Sequence, residues 1–244
     1  MIVDGKYVGG ELELFKDATN WKSYVAKHLG PFVKGDVLEV GAGIGVNASY
    51  LAKNAQSYTF LEPDAELAGQ INDLNKDLSV SKAVIVGTSE DLSQDASYDT
   101  IIYYDVLEHI EQSNEELRRI SKHLKPGGNI LIVVPAYPSL YNEFDKAVGH
   151  FRRYNRLLMK ADFEGIEDLD IHKMFYLDSL GVVASWVNKW FLKQSVPSLK
   201  QVHFWDRVIV SFSKILDPIV GKSFGKSLLC VGERGERREE RGER

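Results

Sequence analysis

The chain has 244 residues, 44% of them hydrophobic, which is enough for the core of one large domain or of two small ones. Its formal net charge of −5 weighs against a broad nucleic-acid-binding surface, because such surfaces are usually basic. A single cysteine, Cys230, excludes an intrachain disulfide framework and fits a reducing cytosol. The N-terminus lacks the apolar region of a signal peptide, and no run of about 18 apolar residues occurs. These features predict a cytoplasmic protein without an integral membrane segment.

The N-terminal region, residues 1–34, predicts a helical cap. Residues 1–10 contain three glycines and predict a flexible lead-in. Residues 11–29 read as one amphipathic helix, because their apolar side chains can share a broad face, and Gly30-Pro31 ends it. This helix could help to cover a bound ligand or could merely pack on the sheet.

A strand and a glycine turn follow the N-terminal helix. Residues 36–40 contain a short apolar run, typical of a strand buried on both faces, and residues 46–54 read as a helix. Between them lie three glycines at alternate positions, Gly41, Gly43 and Gly45. Missing Cβ atoms let the chain turn sharply and let a ligand approach the backbone, while the helix start offers unpaired N–H groups. The G-x-G-x-G spacing differs from the G-x-G-x-x-G of nicotinamide dinucleotide sites.

Glu39 lies on this strand, two residues before the first glycine. A carboxylate there would repel a pyrophosphate but could pair with an ammonium group. The pattern E-x-G-x-G-x-G resembles motif I of the class I S-adenosylmethionine-dependent methyltransferases. The resemblance implies that the turn, from Gly41 through Ala42 and Gly43 to Gly45, accepts the amino-acid end of the cofactor, and that Glu39 attracts the α-ammonium or orders the turn. The alternative is a turn that only packs a helix on a sheet.

A second acid ends the next predicted strand. Residues 57–61 form this strand, Glu62 and Pro63 follow, and Asp64 is the expected N-cap of a helix over residues 65–76. In related nucleotide folds, an acid at the tip of the second strand accepts hydrogen bonds from both ribose hydroxyls. The resemblance gives Glu62 this role, with Pro63 beside it in the cofactor site. An exposed acid at a strand end is the alternative.

The third predicted strand covers residues 82–86, and the loop that follows it is expected beside the adenine. In resembling enzymes a side chain and a backbone N–H of this loop read the adenine edge. Many relatives have an acid where Thr88 stands, so Ser89 and Glu90 are alternatives to Thr88 in this role.

The fourth predicted strand, residues 98–104, ends at Tyr104 and Asp105. In the fold that the resemblance implies, the chain just after strand 4 faces the methyl-donor sulfur, which places both residues in the cofactor site. The next residues, Leu107-Glu108-His109, closely resemble the LEH stretch of many small-molecule methyltransferases. His109 could act as a base or could be structural.

The alternation of elements predicts the fold class. Residues 113–124 read as a helix with Ser113 and Glu116 spaced as a capping box, and residues 129–134 as a fifth buried strand. Five repeats of strand and helix specify a parallel sheet wound on both faces. The resemblance implies an α/β, doubly wound, mostly parallel seven-stranded sheet, with the cofactor-binding core at residues 35–134 of a single domain over residues 1–232.

Residues 135–165 are too long for a simple connector and are rich in Tyr, Arg and His. They leave the strand next to the switch point, where open sheets bind ligands, and their G-H-x-R-R-Y element resembles a bacterial subgroup of these methyltransferases. We expect the acceptor here. His150 could remove its proton, and Arg152 or Arg153 could hold a carboxylate or phosphate. Aromatic candidates for contact with the acceptor are Tyr137, Tyr141 and Tyr154. The alternative is a surface loop tied down by Arg–Asp pairs, for instance with Asp145.

The C-terminal part predicts strands at residues 168–175 and 222–231, separated by a helical insertion at residues 176–222. One apolar stretch of the insertion carries Trp186, Trp190 and Phe191. The insertion could cap the acceptor pocket, form a homodimer face or rest on a membrane surface. Residues 233–244 repeat Gly-Glu-Arg and predict a solvated, disordered tail.

Together these features predict an enzyme that transfers a methyl group from S-adenosylmethionine to an oxygen or nitrogen of a small-molecule acceptor by in-line displacement, leaving S-adenosylhomocysteine. The cofactor supplies the activated methyl group, so the protein mainly aligns the reactants and excludes water. Strand 4 lacks the N-P-P-Y element of many nucleic-acid amino methyltransferases, which favours a small acceptor. A catalytically silent S-adenosylmethionine-binding partner subunit and a nicotinamide-dependent oxidoreductase are the alternatives. No metal site is predicted.

Overall fold

The computed structural model describes residues 2–3, 6–7, 11–187 and 197–235. The strands of its central sheet are β1 (Gly35–Val40), β2 (Ala55–Glu62), β3 (Ser81–Val86), β4 (Tyr98–Tyr104), β5 (Leu124–Pro135), β6 (Leu169–Leu177) and β7 (Ser227–Arg234). They lie in the spatial order β3-β2-β1-β4-β5-β7-β6, with β7 antiparallel to both of its neighbours and the other pairs parallel. This sheet confirms the predicted fold class.

The central strands are buried on both faces, as their apolar runs predict. In β5, Leu131 and Val133 belong to the hydrophobic core on one face, whereas Ile130 and Ile132 belong to the core on the other. This alternation follows from the two-residue period of a strand covered by helices on both sides. The parallel strands end at one edge of the sheet, and the loops that carry the predicted site residues leave from that edge.

The α-helices are α1 (Glu11–Phe15), α2 (Thr19–Leu29), α3 (Ala48–Leu51), α4 (Ala65–Leu74), α5 (Ser113–Ile120), α6 (Glu143–Val148), α7 (Arg156–Phe163), α8 (Ser179–Val187), α9 (Leu199–Phe204) and α10 (Val210–Ile219). A π-helical turn over Trp205–Ile209 joins α9 to α10 without a break. The predicted N-cap of α4 is confirmed, because Asp64 accepts hydrogen bonds from the backbone N–H groups of Glu66 and Leu67 at 2.8 and 3.1 Å.

The N-terminal region differs from the single helix that was predicted, because the chain turns at residues 16–18 and separates α1 from α2. A helix start leaves backbone N–H groups without intrahelical partners. A buried carboxylate of the insertion satisfies two of them: Asp206 accepts hydrogen bonds from the backbone N–H groups of Asn20 and Trp21 at 3.2 and 2.8 Å. Ahead of α1, Ile2–Val3 pairs with Lys6–Tyr7 in a short antiparallel ladder, where the sequence predicted a flexible lead-in.

The predicted capping box at the start of α5 is wrong. Gln112 is the N-cap residue, and its side chain makes no capping hydrogen bond. Glu116 is buried instead, and its carboxylate accepts hydrogen bonds from the hydroxyls of Tyr103 and Ser89, both at 2.6 Å. Hydroxyl donors from other elements have therefore replaced the local contact with Ser113 that the spacing indicated.

The helical insertion is fixed to the rest of the chain by buried carboxylates. Asp217 accepts hydrogen bonds from the backbone N–H groups of Asp178 and Ser179 at 2.8 and 2.9 Å, and from the Tyr24 hydroxyl at 3.0 Å. Asp178 in turn accepts a hydrogen bond from the indole N–H of Trp205 at 2.7 Å. Because buried charges are costly unless they are hydrogen-bonded, these contacts define one position for the insertion on α2 and β6.

The last strand differs from the prediction at both of its ends. β7 begins at Ser227 and runs through Arg234, two residues into the predicted tail. Trp186 lies on α8, whereas Trp190, Phe191 and residues 236–244 lie outside the described residues. Across the described ranges, none of the helices has both the length and the apolar content needed to cross a bilayer.

Candidate active site

The glycine turn after β1 has the backbone geometry that its sequence predicts. Gly41, Gly43 and Gly45 have φ of +65°, +58° and +79°, a region in which residues with a Cβ are strained. A Cβ on Gly41 would lie 2.7 Å from Cγ2 of Val106, and one on Gly43 would lie 2.9 Å from Cδ1 of Leu12. The turn is therefore enclosed by the loop after β4 and by α1, and α1 has the covering position considered for the N-terminal helix.

Glu62, at the end of β2, faces the glycine turn. Its buried carboxylate accepts hydrogen bonds from the backbone N–H groups of Gly43 at 2.7 Å and Asp64 at 2.9 Å. Burial raises the pKa of this carboxyl group. An ionised carboxylate offers about four lone-pair sites, so Glu62 can fix the turn and still accept hydrogen bonds from the two hydroxyls of a ribose.

Glu39 is buried beneath the turn and has protein partners for both carboxylate oxygens. The side-chain amide of Asn47 donates to one oxygen at 2.9 Å, and the Tyr58 hydroxyl donates to the other at 3.0 Å. Burial raises the pKa of Glu39 to about 7. Asn47 is the N-cap residue of α3. These contacts favour the ordering role over direct pairing with an ammonium group.

The loop after β3 places its three candidate residues in different surroundings. Thr88 is exposed and caps a short 3-10 turn. Ser89 is buried and donates a hydrogen bond to Glu116 at 2.6 Å, whereas Glu90 is exposed and forms an ion pair with Arg119 at 2.9 Å. All three side chains therefore have intramolecular partners, and those of Ser89 and Glu90 belong to α5.

The end of β4 presents Tyr104 and Asp105 at the same edge of the sheet. The Tyr104 hydroxyl is buried and has no hydrogen-bond partner among the described residues. Asp105 has φ of +53°, and its backbone N–H donates to the carbonyl of Val133 at 2.9 Å. Because an unpaired buried hydroxyl is costly, Tyr104 marks a position at which a bound molecule can supply the missing partner.

Next to Asp105, four titratable side chains meet. His150 Nδ1 lies 2.8 Å from Asp145 Oδ1, and His150 Nε2 lies 3.9 Å from Glu108 Oε1. The His109 ring contacts the His150 ring edge-on, with 4.6 Å between the centroids. Burial lowers the pKa of His109 to about 3, so this imidazole is neutral at pH 7. Glu108 Oε2 is buried without a partner among the described residues, and burial raises the pKa of this carboxyl group.

Asp145 is the acceptor that orients His150. Burial alone would raise the pKa of Asp145, but the hydrogen bond from His150 and the guanidinium of Arg153 outweigh burial and lower it. Nε of Arg153 lies 2.8 and 2.9 Å from the two carboxylate oxygens. From this network we assign the proton of neutral His150 to Nδ1, which leaves Nε2 as an acceptor directed toward Glu108.

The same cluster has the composition of a metal site. Glu108, His109 and His150 each offer one ligand atom, and these atoms all lie within 4.8 Å of one another. Two imidazoles and a carboxylate suit zinc and other first-row divalent cations, and the hydrogen bond from His150 to Asp145 has the form of an outer-shell contact. No such site was predicted from the sequence, because Glu108 and His150 lie on separate segments.

Two of the predicted acceptor residues point away from this cluster. Arg152 donates hydrogen bonds to the Ser113 hydroxyl and to the Glu111 carbonyl. Tyr154 is fully buried, and its hydroxyl donates to Asp162 at 2.9 Å. These contacts join residues 135–165 to α5 and α7, and they occupy polar groups of both side chains within the protein.

Two other predicted tyrosines lie on the acceptor side. The Tyr141 hydroxyl donates to the backbone carbonyl of His150 at 2.6 Å and so helps to hold the histidine in place. Tyr137 stacks on Tyr176, with 5.4 Å between the centroids and 7° between the ring planes, and its ring lies 5.8 Å from that of Trp186. Tyr137, Tyr176 and Trp186 form an aromatic wall at the ends of β5 and β6.

Lys226, immediately before β7, is a residue of this region that the sequence analysis missed. Its ammonium nitrogen lies 4.2 Å from the ring centroid of Trp205 and 5.9 Å from that of Phe15. Burial lowers the pKa of Lys226, while the nearby carboxylates, Asp178 and Asp105 among them, oppose that shift. No motif surrounds Lys226, and only the packing of α1 and of the insertion brings Phe15 and Trp205 to it.

Comparison with known proteins agrees with this geometry. A family model described as a methyltransferase domain matches residues 15–184, which is well over half of the chain. The matched region includes the glycine turn, the end of β4 and the histidine cluster.

The curated relatives are similar over a limited region. The chain is 31% identical over 105 residues to an uncharacterized protein of Mycobacterium tuberculosis, which covers 41% of this chain and 36% of the relative. It is 27% identical over 108 residues to a ubiquinone biosynthesis O-methyltransferase of Rickettsia felis, which covers 44% of each chain. The chain thus spans less than half of the length of these relatives.

Solved structures share the fold over nearly the whole chain. An S-adenosylmethionine-dependent methyltransferase from Clostridium acetobutylicum matches with a TM-score of 0.57 and 12% identity, covering 90% of this chain and 92% of the other. Phosphoethanolamine N-methyltransferase 2 of Haemonchus contortus, in complex with S-adenosyl-L-methionine, matches with a TM-score of 0.61 and 16% identity, covering 92% of this chain and 56% of the other. At these identities the likeness concerns the fold alone.

Proposed function

The chain belongs to the S-adenosylmethionine-dependent methyltransferase domain family, and from this premise we propose that it methylates an oxygen or nitrogen atom of a small-molecule acceptor. The observation that carries the proposal is the short distance along the chain between the two halves of the site. Val106 closes one side of the glycine turn at Gly41, and Glu108, two residues later, faces His150. A donor in the turn and a proton acceptor beside the methyl group therefore fit one continuous site.

The residues of the donor half fit the cofactor. S-adenosylmethionine, when bound, supplies a methyl group activated by its sulfonium. A Cβ at Gly41 or Gly43 would collide with Val106 or Leu12, so the turn requires glycine at both positions. Glu62 has spare acceptor sites, and the Tyr104 hydroxyl lacks a partner among the described residues. We assign the amino-acid end of the cofactor to the glycine turn, the ribose to Glu62 and the edge beside the methyl group to Tyr104 and Asp105.

On the acceptor side, His150 is the proposed general base. Asp145 holds its Nδ1–H, so Nε2 is the atom that can take a proton from a hydroxyl or an ammonium group of the acceptor. His109 packs against the same ring and, being neutral at pH 7, places no positive charge beside His150. The aromatic wall of Tyr137, Tyr176 and Trp186 favours a flat acceptor, since rings stack readily on such a surface.

The relatives favour a small acceptor without deciding the atom that is methylated. The Rickettsia felis relative is named as an O-methyltransferase and the Haemonchus contortus structure as an N-methyltransferase, each in the biosynthesis or modification of a small molecule. A silent partner subunit is disfavoured because the cluster on the acceptor side has an oriented histidine. The family match favours methyl transfer over nicotinamide chemistry.

The decisive experiment separates donor binding from turnover. Calorimetry with S-adenosylmethionine and with NAD should show binding of the first only, and methyl-labelled donor should transfer its label to members of a panel of phenolic and amino compounds.

His150→Ala should lower kcat by roughly 10²–10⁴-fold and leave the donor Kd unchanged. His172→Ala is the matched control, because His172 is half exposed on β6 and lies outside the cluster. Equal kcat in the two variants would remove His150 from the reaction.

A chelator distinguishes the two uses of the histidine cluster. If His150 acts as a base, prolonged dialysis against a chelator should leave kcat unchanged. If activity is lost and a divalent cation restores it, Glu108, His109 and His150 hold that cation and the assignment of His150 as a free base fails.

A further inference from the structure

The outer side of the continuous helix formed by α9, the π-turn and α10 is an apolar stripe open to solvent. Phe204 is 58% exposed, Phe212 58%, Ile215 67% and Ile219 76%, with Val208 at 37% between them. Their spacing of three or four residues places them along one side of the helix. Single exposed apolar residues are common, but a continuous row of this kind marks an interaction surface.

The opposite side of the same helix is anchored in the protein, so the stripe points directly away from it. Val202, Asp206, Val210, Ser213 and Asp217 are all buried and recur at intervals of three or four residues. Asp206 and Asp217 hold α2 and the start of α8 through the hydrogen bonds described above. The exposed stripe is therefore presented on a fixed support.

The charges beside the stripe have one sign. Across residues 197–223 the two acidic residues, Asp206 and Asp217, are buried, whereas Lys200 and Arg207 are exposed. Lys214 and Lys222 are half exposed, and their ammonium groups lie over the rings of Tyr24 and Phe175 on the protein side. The chain as a whole has a net charge of −5, so this surface is basic against an acidic background. α8, which packs against α10, has no charged residue and adds two exposed apolar side chains, Val183 and Val187.

We propose that this surface, defined by Phe204, Val208, Phe212, Ile215, Ile219 and the basic residues beside them, binds the surface of an anionic lipid bilayer. The arrangement has both parts of such an interaction: apolar side chains that can enter the boundary between headgroups and acyl chains, and basic side chains that can reach anionic headgroups. The helix would lie in the plane of the surface and would not cross it.

The observations favour a bilayer over a second copy of the chain. A two-fold dimer through this stripe would place the same patch against itself. Lys200 and Arg207 would then meet a patch that offers no exposed carboxylate, since Asp206 and Asp217 are buried. The stripe also does not cover the candidate active site, because Trp205, from the inner part of the helix, makes the contacts with Phe15 and Lys226.

Vesicle flotation of the full chain tests the proposal. The protein should float with vesicles of phosphatidylcholine mixed with phosphatidylglycerol, float much less with phosphatidylcholine alone, and be released from the mixed vesicles by added salt. Phe212→Ser combined with Ile215→Ser should abolish flotation, and Arg207→Glu should weaken the apparent affinity at least fivefold, since one basic residue near the surface contributes about a fivefold factor. Leu157→Ser, at an apolar site 76% exposed on α7, is the control and should float like the unaltered chain.

The four substituted side chains are exposed, so the thermal melting curves of all variants should be alike. Flotation of the double variant to the same extent as the control would overturn the proposal, as would failure of the unaltered chain to float with the anionic vesicles. Light scattering of the same samples adds a separate outcome: a dimer that is lost in the Phe212→Ser, Ile215→Ser variant would assign the surface to a second copy and also overturn the proposal.

Discussion

His150 Nδ1 lies 2.8 Å from Asp145 Oδ1, and Arg153 Nε lies 2.8 Å from the same oxygen and 2.9 Å from Oδ2. These contacts join His150 and Arg153 of the G-H-x-R-R-Y element to the preceding helix α6, on which Asp145 lies. The sequence offered an Arg–Asp pair as the alternative to a catalytic histidine at this position. In the fold one aspartate serves both residues, so the ion pair that anchors the segment also orients the histidine.

Asp145→Asn tests this arrangement, because asparagine keeps the size of the side chain and removes its charge. A hydrogen bond to a charged group contributes about 1.5–3 kcal/mol, and we expect kcat to fall about tenfold to hundredfold while the donor Kd stays unchanged. Asp145→Glu should recover part of kcat, since it restores the charge. A loss of donor affinity equal to the loss of kcat would instead indicate a general disturbance of the fold.

Glu62→Gln should weaken donor binding. The substitution removes the charge that accepts the Gly43 N–H and that we assign to the ribose, and charge-assisted hydrogen bonds of about 1.5–3 kcal/mol correspond to a rise in Kd of about tenfold to hundredfold. Calorimetry with S-adenosylmethionine measures the effect. Asp73→Asn, at an exposed acid of α4, provides the control. An unchanged Kd for Glu62→Gln would exclude the ribose assignment.

Gly43→Ala should destabilise the glycine turn and reduce donor affinity. The new Cβ would lie 2.9 Å from Leu12 Cδ1, and a φ of +58° costs a residue with a Cβ roughly 1–2 kcal/mol. The double variant Gly43→Ala, Leu12→Ala removes the clash and retains the backbone strain. Urea denaturation of the single and double variants therefore separates the two terms, and simple additivity would show that α1 does not contact the turn in solution.

Glu39 should make the stability of the chain depend on pH. Its pKa is raised by burial from 4.5 to about 7, so the folded chain binds the proton more tightly than the unfolded chain. The resulting contribution to stability is full below pH 4.5 and is lost as the pH rises to about 7, and its size is on the order of 3 kcal/mol. Glu39→Gln should flatten this dependence in urea denaturation across that range, whereas Glu66→Gln, an exposed substitution, should not.

Lys226→Met should raise the acceptor KM and leave the donor Kd unchanged if the acceptor carries an anionic or ionisable oxygen. The ammonium lies over the Trp205 ring in a buried position, where a bound anion would meet little competition from water. Lys200→Met, at an exposed position on α9, is the control. Equal acceptor KM in the two variants would place Lys226 outside the acceptor site.

Local patterns predicted the parts of the fold that depend on local chemistry. The apolar runs of β1, β4 and β5, the sharp turn at Gly41, Gly43 and Gly45, and the Asp64 cap each follow from a few neighbouring residues. The alternation of strand and helix predicted a parallel sheet wound on both faces, and the family resemblance supplied its seven strands. The site was expected at the carboxyl ends of the parallel strands, where open sheets bind ligands. The strand order and the antiparallel direction of β7 were not predicted and come from the structure.

The contacts that differ from the prediction are made between distant segments. Ser113 and Glu116 have the spacing of a capping box, yet Tyr103 and Ser89 provide the donors to Glu116. Asp206 accepts a hydrogen bond in the first turn of α2 from Trp21, which lies 185 residues earlier in the chain. Lys226 acquires its aromatic partners, Phe15 and Trp205, only because α1 and the insertion pack together beside it. Each of these contacts depends on tertiary packing, which a short stretch of sequence does not reveal.

The carboxylate of Asp206 also links the insertion to the N-terminal helices. It ties the helix that bears the apolar stripe to the first turn of α2, and Phe15 at the end of α1 lies edge-on to Trp205 of the same helix, with 5.8 Å between the ring centroids. The N-terminal helices and the insertion are thus joined at two points, and Leu12 of α1 lies against Gly43 of the glycine turn. On the proposed assignments, a lipid bound to the outer side of the insertion would act on a part of the chain that is connected to the donor site through α1.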